Sequence, residues 1–207
     1  MFQESKFQPQ WWIRNAHLQT MLPTFQRRNQ SIDSVAERLE LTDGDFLDLA
    51  WTEQPEPDNV KPIVIIFHGL EGSIDSPYIK GIMTAVQKEG WIGVVMHFRG
   101  CSSEPNRLLR AYHSGETGDA TYVIDLIAQR FAQAPLFAVG YSLGGSVLAH
   151  YLAENHHSKL VAAAVISAPL LLAESAERIK QGFSKAYQRR LIKLLQSSVL
   201  KKYETLN

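Results

Sequence analysis

The chain has 207 residues, 45% of them hydrophobic, which suffices for one substantial core and not for two. Its 21 basic and 21 acidic side chains balance, so no overall charge favours nucleic acid or a strongly anionic surface as a partner. The single cysteine, Cys101, excludes an internal disulfide and fits a reducing compartment.

Residues 1–34 are rich in glutamine, proline and aromatic residues and show no clear period. They lack the basic and apolar regions of a signal peptide, and no later segment has the roughly 18 apolar residues that a transmembrane helix needs. We therefore predict a cytoplasmic protein with no transmembrane segment. Its N-terminal segment is expected to be an irregular arm whose tryptophans pack on the core.

The rest of the chain alternates strand and helix patterns. Residues 36–41 and 46–52 alternate apolar and polar side chains around the turn sequence TDGD, which predicts an antiparallel hairpin. Four continuous apolar runs typical of buried parallel strands follow at residues 62–67, 91–98, 135–140 and 160–167. Helical spacing separates these runs at residues 77–89, 122–131 and 146–155. This alternation predicts an α/β fold, followed by one or two amphipathic helices in residues 171–206.

The sequence GYSLGG, residues 140–145, lies where a predicted strand meets a predicted helix. A nucleophilic serine must hold its hydroxyl clear of the backbone, and a sharp strand-to-helix turn does this when the neighbouring residues are small. Gly140 and Gly144 stand two residues before and two residues after Ser142, which is the spacing of a nucleophile elbow. The pattern predicts Ser142 as a catalytic nucleophile, and a purely structural turn is the alternative.

Acyl transfer also needs N–H donors aimed at the developing oxyanion, and one such donor contributes about 3 kcal/mol to lowering the barrier. The backbone N–H of Leu143 is one candidate, because it follows the serine at the start of a helix. The loop after the third strand reads HGLEG, and there the N–H of Leu70, next to Gly69, is the second candidate. We predict that His68 bonds to backbone groups and transfers no proton.

Four stretches of the chain resemble the YheT-like branch of the α/β-hydrolases, also called AB hydrolase family 4. They are RNAHLQTMLP (14–23), FHGLEGSIDSPYIKG (67–81), HFRGCSSEPNRLLRAYHSGETGD (97–119) and GYSLGGSVL (140–148). The resemblance implies an α/β-hydrolase fold with helices on both faces of a mostly parallel sheet. It further implies a serine carboxylesterase or lipase acting on short-chain, medium-chain or lipid esters, with a Ser-Asp-His triad in chain order that begins at Ser142.

The resemblance also implies how the chain is divided. We expect an N-terminal arm at residues 1–34, a partial hydrolase core at residues 35–170 and the start of a helical cap at residues 171–207. The fold would then be incomplete after the sixth strand. Either the chain is a truncated or interrupted hydrolase, or a second chain completes the sheet. In both cases the strand at residues 160–167 is left as an apolar edge unless the terminal helices cover it.

A serine nucleophile needs a general base and a carboxylate that orients it. No aspartate follows Ser142, and the histidines that follow it are His150, His156 and His157. We place all three along or beyond the next helix, which separates the two edges of the sheet by roughly 15 Å. The sequence therefore predicts a chain without the triad acid and base, which is a weak or inactive catalyst. A non-catalytic interaction module is the alternative function.

No spacing typical of metal ligands occurs, and we expect neither a metal nor a cofactor. His97 is expected to bond to backbone, and no basic partner stands near Cys101 in sequence to activate it as a nucleophile. Residues 173–207 carry eight basic and three acidic side chains. This basic C-terminal region either packs on the core as an ordinary solvated helix or makes weak contact with anionic lipid headgroups.

Overall fold

The structure is a computed structural model that describes residues 4–27 and 29–206. Its strands are β1 (Val35–Glu40), β2 (Phe46–Trp51), β3 (Ile63–Phe67), β4 (Ile92–Met96), β5 (Leu136–Tyr141) and β6 (Leu160–Ile166). Its helices are α1 (Ala16–Arg27), α2 (Pro77–Lys88), α3 (Gly118–Arg130), α4 (Leu143–Glu154), α5 (Leu172–Ile179) and α6 (Ser184–Leu206). The predicted α/β class is confirmed, and α4 begins three residues earlier than the sequence pattern indicates.

The strands form one sheet in the order β1-β2-β4-β3-β5-β6. β1 and β2 form the predicted antiparallel hairpin, β2 pairs antiparallel with β4, and β3 to β6 run parallel. Every residue of β3 and β4 is buried, because α3 and α4 pack on one face of the sheet and α2 packs on the other. The carboxyl ends of β3, β4 and β5 therefore meet at one edge, where α/β folds place their binding sites.

The last strand, β6, is an edge of the sheet and carries apolar side chains that solvent reaches. Val161 is 65% exposed, and Val165 and Ile166 are 40% and 38% exposed. The predicted apolar edge is confirmed, since α5 and α6 leave this strand uncovered in the described part of the chain. An uncovered edge of this kind is a template for pairing with another strand.

The N-terminal segment differs from the expected irregular arm. Helix α1 occupies its second half, with the Asn15 side chain accepting the N–H groups of His17 (2.9 Å) and Leu18 (3.3 Å) as a helix cap. The expectation that the tryptophans pack on the core is wrong, because Trp11 and Trp12 are 79% and 55% exposed. Residues 1–3 and 28 of the predicted arm lie outside the described residues.

A buried ion cluster holds the loop that follows β4. The Arg99 side chain is 3% exposed, and its guanidinium lies 2.7 Å from Asp43, 3.0 Å from Asp45 and 2.8 Å from Asp119. These carboxylates hold the pKa of Arg99 above its usual range, with Asp119 as the largest influence. The cluster therefore joins the β1–β2 turn and α3 to this loop. Removing one of its members would leave a buried charge without a partner, which is strongly destabilising.

The C-terminal helix α6 is joined to the same loop by its basic side chains. Lys201 donates to the Ser103 carbonyl at 2.9 Å, and Lys202 donates to Asn106 Oδ1 at 2.7 Å. At the other end of α6, Tyr187 OH lies 3.1 Å from the ring nitrogen of His17 in α1. Two of the basic side chains considered for lipid contact are thus engaged within the chain. None of the described helices has both the length and the apolar character that crossing a membrane requires.

Candidate active site

Ser142 lies at the sharp turn between β5 and α4. Its backbone has φ 50° and ψ −117°, a strained conformation for a residue other than glycine. The Ser142 N–H donates to the Ile166 carbonyl of β6 at 2.9 Å, and the Ser142 carbonyl accepts the N–H of Ser146 in α4 at 3.0 Å. The residue is exposed to solvent at the carboxyl edge of the sheet. This is the geometry that the elbow spacing predicts.

The glycines around the turn stand where a side chain has no room. A Cβ atom on Gly140 would lie 2.5 Å from the Gly144 carbonyl oxygen, and one on Gly144 would lie 2.4 Å from the carbonyl oxygens of Phe67 and His68. A Cβ atom on Gly69 would lie 3.3 Å from the Ser142 Cβ. The elbow and the loop after β3 are therefore in close contact, and the turn at residues 69–72 lies beside the serine.

Two backbone N–H groups close to the elbow have no hydrogen-bond partner among the described residues. The turn at residues 69–72 closes through a 2.9 Å hydrogen bond from the Gly72 N–H to the Gly69 carbonyl. Neither the Leu70 N–H nor the Leu143 N–H donates a hydrogen bond to any described residue. The Leu143 N–H also lies at the N-terminus of α4, where the helix dipole favours negative charge. Leu70 and Leu143 are the two residues that the sequence predicts as oxyanion donors.

His68 is fully buried and bonded to backbone groups, which confirms the prediction for this residue. Its Nδ1 lies 2.7 Å from the Gly69 carbonyl oxygen, and its Nε2 accepts the N–H of Phe98 at 3.1 Å. The proton therefore resides on Nδ1, since the Gly69 oxygen is an acceptor. Burial lowers the pKa of His68 to about 3, so the ring is neutral at physiological pH.

His97 is also bonded to backbone, as predicted. Its Nδ1 donates to the Asp48 carbonyl at 3.0 Å, and its Nε2 accepts the Ile74 N–H at 3.1 Å. Burial lowers the pKa of His97. Burial raises the pKa of the Cys101 thiol to about 12, which keeps it protonated and a poor nucleophile.

The described part of the chain includes all seven histidines, and none of them bonds to the Ser142 hydroxyl. His150 bonds instead through Nδ1 to the Ser146 carbonyl of its own helix, at 2.8 Å. His156 and His157 are exposed beyond the end of α4. Among the described residues no group of three or more histidine, cysteine, aspartate or glutamate side chains could hold a metal ion.

Sequence reasoning overlooked two tyrosines that hold the turn at residues 69–72. Tyr78 OH accepts the Gly69 N–H at 2.9 Å, and Tyr112 OH accepts the Glu71 N–H at 2.8 Å. Both tyrosines lie within the stretches that carry the family resemblance. Their position in those stretches is the one signal that could have marked them.

An open depression of about 730 Å³ begins where β6 ends, next to the elbow. Its wall includes the loop residues Leu170 and Leu171, which are 69% and 63% exposed, together with Glu174 and Arg178 of α5. Ala168, at the start of this wall, is close enough to the elbow that a Cβ on Gly145 would lie 3.1 Å from its own Cβ. The loop that carries these exposed leucines therefore contacts the start of α4 through Ala168.

Comparison with known proteins agrees with this geometry. The chain is 50% identical over 199 residues to the Escherichia coli (strain K12) protein named "Putative esterase YheT", which covers 96% of this chain and 58% of that protein. It is 31% identical over 121 residues to a monoacylglycerol lipase of Saccharomyces cerevisiae, covering 58% of this chain and 27% of the lipase. The chain spans about half the length, or less, of the first curated relatives that it matches.

Solved structures share the fold. The Pyrococcus furiosus esterase Pf2001 superimposes with a TM-score of 0.58 at 17% sequence identity, covering 81% of this chain and 63% of that one. The family model described as the alpha/beta hydrolase fold matches residues 62–205, which include β3 to β6, the elbow and both terminal helices. The chain therefore belongs to the α/β-hydrolase family.

Proposed function

We propose that this chain is the nucleophile-bearing part of a serine carboxylic-ester hydrolase. The observation that carries the proposal is the strained, exposed Ser142 at the elbow, in close contact with the turn at residues 69–72. The N–H groups of Leu70 in this turn and of Leu143 have no hydrogen-bond partner among the described residues. The similarity to proteins named as an esterase and a lipase supports the same reaction class. In this proposal Ser142 is the catalytic residue, and Gly69, Gly140 and Gly144 give the backbone the close approach that the site needs.

The proposed reaction begins when Ser142 Oγ attacks the ester carbonyl carbon, which places negative charge on the carbonyl oxygen between the two N–H groups. Collapse of this intermediate breaks the bond to the alcohol, which leaves with the serine proton, and Ser142 keeps the acyl group. Water then attacks the acyl group and releases the carboxylic acid. Both steps need a general base that removes and returns a proton.

The described residues place no such base beside Ser142, so we propose that this chain by itself turns over very slowly. Loss of the base from a serine triad lowers turnover by on the order of a millionfold. The acid and base would come from a polypeptide segment other than residues 1–207, in the same chain or in a second one. If neither exists, the fold serves as a non-catalytic interaction module. The lack of a base beside Ser142 among residues 4–27 and 29–206 is what favours that second candidate.

The surface beside the elbow supports an ester with an apolar acyl group as the substrate. Leu170 and Leu171 are exposed on the wall of the depression, where an alkyl chain would remove apolar surface from water. Exposed basic side chains of α6, among them Arg189 and Arg190, are available for weak contact with a lipid surface. We propose a small-molecule or lipid ester as the substrate class on these grounds.

The test supplies the missing base from solution. The chain is incubated with p-nitrophenyl butyrate, with and without imidazole, and its mass is followed for the addition of one butyryl group. We expect acylation that depends on imidazole and is lost in Ser142→Ala. Ser146→Ala is the matched control, because the Ser146 hydroxyl is buried without a hydrogen-bond partner among the described residues. Absence of acylation with imidazole would reject the esterase proposal in favour of the interaction module.

A further inference from the structure

The turn that carries the Leu70 N–H is held by side chains on both sides of that group. The Gly69 N–H donates to Tyr78 OH at 2.9 Å, and the Glu71 N–H donates to Tyr112 OH at 2.8 Å. The Gly72 N–H closes the turn on the Gly69 carbonyl. Three of the four N–H groups of this turn are therefore bonded, and the Leu70 N–H between the two tyrosine bonds has no partner in the described part of the chain.

Glu71 is the strained residue of the turn. Its φ of 53° lies in the left-handed region, which residues other than glycine rarely occupy. Such a conformation persists where the surroundings hold it. Tyr112 OH donates to Glu71 Oε1 at 2.8 Å while it accepts the Glu71 N–H, so one hydroxyl grips both the backbone and the side chain of this residue.

The other carboxylate oxygen of Glu71, Oε2, accepts the hydroxyl of Ser198 in α6. Because both oxygens of the carboxylate are bonded, its negative charge is held toward Tyr112 and α6. A free carboxylate one residue from Leu70 would oppose negative charge developing at the Leu70 N–H. The two hydroxyl donors therefore hold the carboxylate in a defined place beside the turn.

Tyr112 is itself firmly placed. Its ring stacks on Phe98 with centroids 5.2 Å apart and planes 10° apart, and Phe98 in turn packs edge-on against His68 at 4.8 Å. Burial raises the pKa of Tyr112, so its hydroxyl keeps the proton that it donates to Glu71. The hydroxyl is thus a fixed point from which the turn at residues 69–72 can be held.

We propose that Tyr112 is a positioning residue of the oxyanion site: through Glu71 it holds the turn so that the Leu70 N–H points at the carbonyl oxygen of an acyl group on Ser142. This rests on the proposed esterase function. Tyr112 contacts no reacting atom in this account, and it acts through the Leu70 N–H.

The test is Tyr112→Phe, which removes the hydroxyl and keeps the ring that stacks on Phe98. Imidazole-supported acylation by p-nitrophenyl butyrate is measured over a range of ester concentrations. We expect the limiting acylation rate to fall by about 10- to 100-fold while the half-saturating ester concentration stays unchanged. The reason is that a misdirected N–H donor stabilises the transition state less and does not affect binding of the ester. Tyr122→Phe, in the exposed surface of α3, is the control and keeps the wild-type rate.

Amide hydrogen exchange provides a readout that does not depend on catalysis. In Tyr112→Phe the Glu71 N–H loses its acceptor, and its exchange is expected to rise about fivefold or more while the urea midpoint of unfolding stays close to the wild-type value. If the wild-type chain is acylated and Tyr112→Phe is acylated at the same rate, the positioning role is overturned and the esterase proposal stands. Failure of the wild-type chain to acylate would overturn both proposals.

Discussion

Replacing Gly144 with alanine is expected to destabilise the chain by about 3 to 5 kcal/mol, which is enough to unfold many domains of this size. The added Cβ would lie 2.4 Å from the carbonyl oxygens of Phe67 and His68. Both atoms belong to the backbone at the end of β3, so no side-chain rotation relieves the overlap. Either the elbow or the strand that carries the oxyanion loop must move.

Urea unfolding followed by circular dichroism measures this effect. Gly115→Ala is the matched control, because a Cβ there has ordinary contact, its nearest neighbour being a His113 ring atom at 3.7 Å. We expect the control to unfold close to the wild-type midpoint. A Gly144→Ala chain as stable as the control would show that the elbow and the loop after β3 are not packed as described.

The second large effect is a loss of stability in mild acid caused by His68. Its pKa is about 3 in the folded chain against 6.5 as the ordinary value, so the unfolded chain binds more protons between these limits. The contribution of neutral His68 to the free energy of unfolding is therefore fully present above pH 6.5 and falls as the pH drops toward 3. Linkage puts the loss from this residue at about 2 kcal/mol between pH 7 and pH 5. The pKa of His97 is lowered in the same direction and adds to the effect.

Urea midpoints measured from pH 7 to pH 5 test this prediction in the wild-type chain and in His68→Gln. The amide of glutamine can replace the donor and the acceptor of the ring but does not titrate. We expect the variant to lose about 2 kcal/mol less than the wild-type chain over this range. The exposed His113→Gln serves as the control and keeps the wild-type pH dependence. An unchanged slope in His68→Gln would show that His68 is not buried in its neutral form.

The parts of the fold that were predicted correctly from the sequence are those in which the physical requirement acts on residues that are neighbours along the chain. The unbroken apolar runs of β3 and β4 reflect burial on both faces of the sheet, and the structure buries every residue of both strands. The elbow spacing reflects steric crowding within the turn itself, where a Cβ on Gly140 would lie 2.5 Å from the Gly144 carbonyl oxygen. Short-range requirements of this kind can be recognised in the local sequence without knowledge of the rest of the chain.

The N-terminal helix was missed because its strongest local signal is a single cap. Asn15 accepts two N–H groups at the start of α1, while the glutamines and aromatic residues around it obscure the helical period. The prediction that the tryptophans pack on the core failed for a different reason. A large apolar side chain predicts burial only where a surface is available to cover it, and Trp11 and Trp12 are exposed in this chain.

The support of the oxyanion loop could not be predicted because it is built from long-range contacts. Tyr112 reaches Glu71 across 41 residues, and Ser198 reaches it across 127. Periodicity and spacing describe neighbours along the chain, so they say nothing about which tyrosine meets which turn. The family resemblance marked the stretch that contains Tyr112 and gave no role to the residue itself.

The most direct measurement of the central claim is a crystal structure of the chain after incubation with a fluorophosphonate and imidazole, which supplies the base that the described residues lack beside Ser142. The phosphonyl oxygen occupies the place of the oxyanion on an acylated serine. We predict phosphonate on Ser142 alone, with this oxygen about 2.7–3.1 Å from the backbone nitrogens of both Leu70 and Leu143. A phosphonate on another residue, or an oxygen that meets neither nitrogen, would contradict the account.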